Sequence, residues 1–187
     1  MRRFLLCCSA IVFSVGVLAV HSMAQQDKSQ RPSPPAQTEF HFADGKTVTV
    51  DYSSPRAKGR KIFGGLVPYG EVWRAGANEA TTFVTDTAVT VGGKTVPAGA
   101  YTLFAIPSQD KWTLIVSKVT KNAKGAPLWG TDYPGEVQDL LRVDMKVSPL
   151  PAAVENFTIA LDKVGNGAAL RMDWEQTRAS VEIAEAK

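Results

Sequence analysis

Cysteine and histidine are scarce in this chain of 187 residues, which contains two of each. Cys7, Cys8 and His21 lie in an N-terminal segment that we predict to be removed, so that only His41 remains. A chain with no thiol and a single imidazole offers no cysteine-liganded zinc site, no cysteine nucleophile and no multi-histidine metal site. We therefore expect no bound metal, no cofactor and no disulfide, and the fold must be held together by its core.

The N-terminal segment has the composition of a secretory signal peptide. Arg2 and Arg3 form a basic start, residues 4–20 form an apolar run, and small residues then lead up to Ala24. We predict that residues 1–24 are a signal peptide cleaved after Ala24, and that the mature protein is exported, either to the periplasm or as a secreted protein. The alternative is an uncleaved membrane anchor, but the apolar run is at the short end for a membrane span.

Neither sign of charge dominates the rest of the chain. The full sequence has a net charge of +3, and removal of Arg2 and Arg3 with the signal lowers it to +1. A nearly neutral balance argues against a nucleic-acid partner. Roughly 160 residues remain, which is enough for one domain with a sizeable core.

Long helical patterns are absent as well. Residues 25–37 are polar and rich in proline and glutamine, and they predict a flexible linker. Across residues 38–187, apolar and polar residues alternate in short segments separated by turn signals such as Gly92-Gly93 and residues 165–167. Nine or ten short strands of this kind predict a single all-β domain, an antiparallel β-sandwich or a jelly-roll-like fold.

One internal stretch, residues 53–80, has no periodicity and follows the first predicted hairpin. Irregular connections of this length are uncommon in compact domains and are usually functional when they are ordered. This loop carries enough aromatic and aliphatic residues to bury, so we expect it to be ordered. The loop is therefore the first place to look for a binding site.

The loop also carries a recognisable motif. Residues 54–81 read SPRAKGRKIFGGLVPYGEVWRAGANEAT, and residues 89–107 read VTVGGKTVPAGAYTLFAIP, followed by Trp112. Together these strings closely resemble a family of exported bacterial proteins, domain-of-unknown-function family 2911, from about Phe40 to the final strands. The resemblance implies a secreted β-rich domain. That family has no assigned activity, so the resemblance carries over no catalytic residues.

Four residues of the loop are the strongest candidates for ligand binding. Trp73 offers a flat apolar face for a sugar ring, and Arg74 can fork onto a carboxylate or phosphate. Asn78 offers both a donor and an acceptor, and Glu79 can fix Arg74 or accept from a ligand hydroxyl. The alternative is that Trp73 packs in the core while Arg74 and Glu79 form an internal pair.

Two further pairs complete the predicted ligand-binding set. Arg56 and Arg60 belong to a basic cluster that would attract an anion; alternatively, they lie in a solvated loop with Arg60 tied to backbone carbonyls. Trp129 and Tyr133 lie in a second irregular segment, residues 118–135, and would form a binding wall if the two irregular segments meet. Otherwise these aromatics plug an open end of the core.

The leading hypothesis is a non-catalytic binding module for a small polar or anionic ligand, such as a saccharide or peptide fragment. An alternative is a metal-independent hydrolase or isomerase that uses two carboxylates from Glu71, Glu79, Asp132 and Glu136. A third possibility is a structural or assembly role. The sequence assigns no catalytic residue and leaves the oligomeric state open.

Overall fold

The computed structural model describes residues 27–187, and the predicted signal peptide lies outside the described residues. The described residues form nine strands: β1 (Pro35–His41), β2 (Thr47–Ser53), β3 (Thr81–Thr85), β4 (Val89–Val91), β5 (Lys94–Val96), β6 (Gly99–Ile106), β7 (Lys111–Ser117), β8 (Asp139–Val164) and β9 (Gly167–Glu185). Two short 3-10 turns, Lys28–Gln30 and Glu136–Gln138, are the only helical elements in this range. Accordingly, no helix among these residues is long and apolar enough to cross a membrane. The predicted all-β fold is confirmed.

The nine strands form one antiparallel sheet in the order β1-β2-β3-β6-β7-β8-β9-β4-β5. The sheet curls strongly, because Tyr52 of β2 meets Phe157 of β8 with a ring-centroid distance of 5.8 Å. These two strands are four positions apart in the sheet, which would separate them by roughly 19 Å if it were flat. The antiparallel prediction is therefore confirmed, whereas two separate sheets of a sandwich or jelly roll are not confirmed.

The long hairpin of β8 and β9 pairs irregularly. Their pairing shifts register between Pro149 and Val154, and again between Val154 and Thr158. Extra residues of this kind bend a strand and increase its twist. The first part of β8 pairs with β7, while its last part pairs only with β9 among the named strands, opposite β2. One hairpin thus supplies two walls of the core.

The core follows from the alternation seen in the sequence. Val48, Val50 and Tyr52 of β2 are buried, with less buried residues between them. The middle of β6, residues 101–105, is buried on both faces, which is typical of a strand covered on both sides of the sheet. Its second face is covered by a small cluster in which Phe104 packs with Ala80, Ile115 and Leu128. That cluster brings both irregular segments over the same side of the sheet.

The segment before β1 differs from the predicted linker. Residues 25–37 read as a flexible linker, but Pro35–Gln37 belong to β1. A proline is tolerated as the first residue of an edge strand, because no ladder donor is required there. The preceding residues also contact the domain: the carbonyl of Pro34 accepts a hydrogen bond from the Ser54 amide at 2.9 Å. The segment 27–34 is called the N-terminal strap below.

Candidate functional site

The two irregular segments meet along a short antiparallel bridge. The Ala80 amide donates to the Leu128 carbonyl, and the Gly130 amide donates to the Asn78 carbonyl, each at 2.9 Å. Glu79 and Trp129 lie opposite one another at its centre. Trp129 and Tyr133 were predicted to form a binding wall only if the two irregular segments are in contact, and the segments are in contact here. We call the paired residues 78–80 and 128–130 the loop bridge.

Trp73 anchors the long loop in the core. Its amide and carbonyl exchange hydrogen bonds with Ala105 of β6 at 2.7 and 2.8 Å, which continues the sheet beyond the start of β3. The indole stacks against Trp174 with a centroid distance of 6.0 Å and an angle of 19°, and it meets the edge of Phe157 at 5.0 Å. Much of the indole surface is therefore taken up by internal packing.

Arg74 reaches into a groove of about 210 Å³. The groove is lined by Val72, Trp73, Arg74, Gly130, Thr131 and Tyr133. The stem of Arg74 packs on Gly130 so closely that a Cβ atom on that glycine would clash with Arg74 Cδ. Its guanidinium forms no ion pair and no hydrogen bond with any residue from 27 to 187. The structure therefore holds a positioned cation with unused donors at the surface.

Asn78 and Glu79 have partners in the N-terminal strap. Asn78 Nδ2 donates to the Ser33 carbonyl at 2.9 Å. The Glu79 carboxylate accepts from Arg31 Nη1 at 2.8 Å and lies 2.9 Å from Lys28 Nζ. The expectation that Glu79 fixes Arg74 is therefore replaced by a different pairing. Sequence reasoning missed Lys28 and Arg31 because both lie in the stretch that resembles a linker.

The ion pairs of Glu79 control its protonation. Burial raises the pKa of the Glu79 carboxyl, but hydrogen bonds from Lys28, from its own backbone amide and from Arg31 outweigh burial. Together they lower the pKa from its ordinary value of 4.5 to about 2. Glu79 is consequently an anion at neutral pH, a state that suits an ion pair and does not suit a general acid.

This lowered pKa predicts an acid-dependent contribution to stability. Because the folded-state pKa lies below the unfolded value, the contribution is complete above about pH 4.5 and is lost as the pH falls toward 2. We expect Glu79→Gln to reduce the free energy of unfolding by about 1 kcal/mol at pH 7, a value discounted for solvent screening. The difference from wild type should vanish near pH 2. Urea denaturation from pH 7 to pH 2 measures it.

The control for that experiment is Glu71→Gln, which removes an exposed carboxylate that has no ion pair among residues 27–187. It should change stability little at any pH in the series. If Glu79→Gln matched this control at pH 7, the ion pairs with the strap would contribute nothing to folding.

Arg56 and Arg60 are used internally. Arg60 donates to the carbonyls of Ala57 and Arg56 at 3.0 and 2.7 Å, and Arg56 donates to the Ser54 carbonyl at 2.8 Å. Arg60 lines a depression with Glu155, and neither Arg56 nor Arg60 lines the Arg74 groove. The structure therefore does not bring Arg56 and Arg60 together with Arg74. Their hydrogen bonds to backbone carbonyls stabilise the conformation of the loop.

Trp129 and Tyr133 are positioned differently from one another. Trp129 is 43% exposed and is not part of the groove lining. Tyr133 lines the groove with part of its ring, packs on Phe104 at 5.1 Å, and donates to the Asp139 carboxylate at 2.9 Å. Arg142 Nη2 in turn donates to the Tyr133 hydroxyl at 2.9 Å. Tyr133 thus forms a fixed wall of the groove.

The backbone around Arg74 is strained. Ala75 adopts a φ of 47°, in the left-handed region that alanine rarely occupies, and Asn78, a residue type found there more often, adopts a φ of 58°. Ala75 is fully buried, and its carbonyl accepts from Thr81 Oγ1 at 2.8 Å. Such strain persists only where surrounding contacts enforce it, and it clusters at functional sites.

These features define an all-β domain in which two loops on a curled antiparallel sheet line a small surface groove. The chain belongs to the family described as protein of unknown function (DUF2911), whose model matches residues 33–183. No curated protein matches the chain, and no solved structure matches it. The matched region begins in the N-terminal strap and includes all nine strands, at least in part.

Proposed function

We propose that this protein is a non-catalytic binding module that holds a small anionic ligand on Arg74. The observation that carries the proposal is the Arg74 guanidinium, which has no partner among the described residues while its stem is fixed against Gly130. A planar guanidinium with unused donors recognises carboxylate or phosphate through two parallel hydrogen bonds. Because the stem is already packed, little side-chain entropy is lost on binding.

The shape of the groove favours a ligand with a carboxylate on a compact body. Its volume of about 210 Å³ suits one sugar ring or one amino-acid residue. Val72, which is 38% exposed, and the ring of Tyr133 supply apolar surface beside the cation. Uronic acids, carboxylated amino sugars and the carboxylate ends of peptides fit this chemistry. The proposal places the protein outside the cytoplasm, after removal of the predicted signal peptide.

The ion pairing of the acidic residues supports binding over catalysis. Glu79 is held as an anion by the strap, and the Glu136 carboxylate lies 3.0 Å from Arg142 Nη1. Two of the four carboxylates that would have formed an acid and base pair are thus neutralised by cations.

Calorimetry with matched pairs of ligands tests the proposal. Glucuronate should bind where glucose does not, and N-acetylmuramic acid should bind where N-acetylglucosamine does not. Arg74→Gln should weaken glucuronate binding at least about tenfold, as expected for loss of a charged hydrogen-bonded pair. The control is Lys61→Gln, which removes the same charge from an exposed side chain without an ion pair among residues 27–187.

The proposal fails if Arg74→Gln, folded with an unchanged circular dichroism spectrum, binds these acids as tightly as wild type. It fails equally if none of them binds more tightly than its neutral counterpart.

A further inference from the structure

A second cavity lies at the other end of the loop bridge. The Arg74 groove adjoins Gly130, whereas this cavity adjoins Ala80 and Leu128 and has a volume of about 170 Å³. Its apolar lining comes from both irregular segments and from the strands below. The N-terminal strap forms one wall, through Lys28 and Arg31.

The size of the cavity limits its occupant. An apolar cavity of about 150 Å³ accommodates one benzene molecule. The space between Tyr52, Pro127 and Leu128 is slightly larger, so it fits an apolar body of about six carbon atoms. Burial of such a body is favourable by about 0.8 kcal/mol for each methylene group.

Among the charged groups of the lining, Arg31 has unused donors, whereas each carboxylate already accepts at least one hydrogen bond. Arg31 directs only Nη1 toward Glu79, and its Nε and Nη2 donate to no acceptor among residues 27–187. The two carboxylates of the lining are both engaged, Glu79 by the strap and Asp51 by Gln37 Nε2 at 2.7 Å. Because Arg31 is only 24% exposed, its free donors are partly shielded from water. A ligand that supplies an acceptor, such as a carboxylate, would therefore satisfy the free donors of Arg31.

We infer that this cavity is a binding site for a small carboxylic acid with an apolar body of about six carbons. The body lies against Pro127 and Leu128, and the carboxylate accepts hydrogen bonds from Arg31 while Lys28 adds a second positive charge. This site is separate from the Arg74 groove and does not depend on the function proposed for that groove.

The test uses the full chain and three probes that separate the two parts of the ligand. Hexanoate should bind measurably in calorimetry. Acetate, which keeps the charge and lacks four methylene groups, should bind about a hundredfold more weakly. Hexanol, which keeps the body and lacks the charge, should bind about tenfold more weakly.

Two variants test the two walls of the cavity. Thr82 lines the cavity, and its hydroxyl makes no hydrogen bond within residues 27–187, so Thr82→Leu fills space without removing a contact. It should weaken hexanoate at least about tenfold. Arg31→Gln should do the same for hexanoate and leave hexanol unchanged. If Thr82→Leu does not fold, the Arg31→Gln comparison and the three probes still decide.

Failures of the two sites are distinguishable. Arg74→Gln should leave hexanoate affinity unchanged, and Thr82→Leu should leave glucuronate affinity unchanged. The inference is overturned if wild type binds hexanoate no more tightly than acetate. It is also overturned if Thr82→Leu and Arg31→Gln, both folded, retain the wild-type affinity for hexanoate.

Discussion

Replacing Trp73 by alanine is expected to lower the free energy of unfolding by about 3 kcal/mol. The indole fills the centre of an aromatic cluster, stacked on Trp174 and in edge contact with Phe63, Trp112 and Phe157. Its removal leaves a cavity lined by large rings that cannot all move inward, and aromatic pairs contribute about 0.5–1.5 kcal/mol each beyond area burial. The loop that presents Arg74 would lose its anchor at the same time.

Chemical denaturation of the variant measures this loss, with Trp129→Ala as the matched control. Trp129 is 43% exposed and forms no ring contact with another aromatic residue among those described. Its replacement should cost at most about 0.5 kcal/mol. Equal midpoints for the two variants would show that Trp73 does not hold the loop in place.

Replacing Asp173 by alanine should destabilise the protein by about 2–3 kcal/mol. The Asp173 side chain is only 4% exposed, and its carboxylate accepts from Arg178 Nε and Nη2 at 2.8 and 2.7 Å and also from Arg171 Nη1. Removal of the carboxylate leaves two partly buried guanidinium groups without their shared acceptor. The cost is below that of a fully buried pair because both arginines retain access to water.

The neighbouring acid Asp162 provides the control, because it also pairs with Arg171 but is 53% exposed. Asp162→Ala should cost about 0.5 kcal/mol or less, as is typical of exposed ion pairs. Thermal denaturation at pH 7 compares the two variants. Equal losses would place the stabilising interaction in Arg171 itself and not in the buried carboxylate.

The alternating pattern was enough to predict the strands, but not how the strands join. Val48, Val50 and Tyr52 alternate with polar residues in the sequence, and all three are buried in the structure. In the sequence, residues 141–147 and 157–161 form two separate alternating segments, and Pro149 and Pro151 lie between them. In the structure both belong to β8, which continues past Pro149 through two shifts of register. Bulges depend on how two strands pair, which periodicity along one strand does not record.

The candidate site was predictable in outline and not in its pairings. The aromatic content of the long loop indicated that it is ordered, and the meeting of the two loops was the condition set for Tyr133 to act as a wall. The partner of Glu79 was not predictable, because Arg31 is distant in sequence and its own surroundings read as a linker. The three-dimensional packing determines which cation pairs with a carboxylate. Because Glu79 pairs with Lys28 and Arg31 of the strap, Arg74 has no ion pair among residues 27–187.

The position of β4 and β5 has a consequence for biosynthesis. This hairpin joins the sheet through the pairing of Val89–Val91 with residues 183–185 of β9. A nascent chain therefore cannot close its sheet until residues 183–185 have left the ribosome, although β4 was translated long before. Proteins dominated by such distant pairings fold slowly, on a scale of milliseconds to seconds. The apolar faces of the early strands consequently stay uncovered until the C-terminal hairpin has been synthesised.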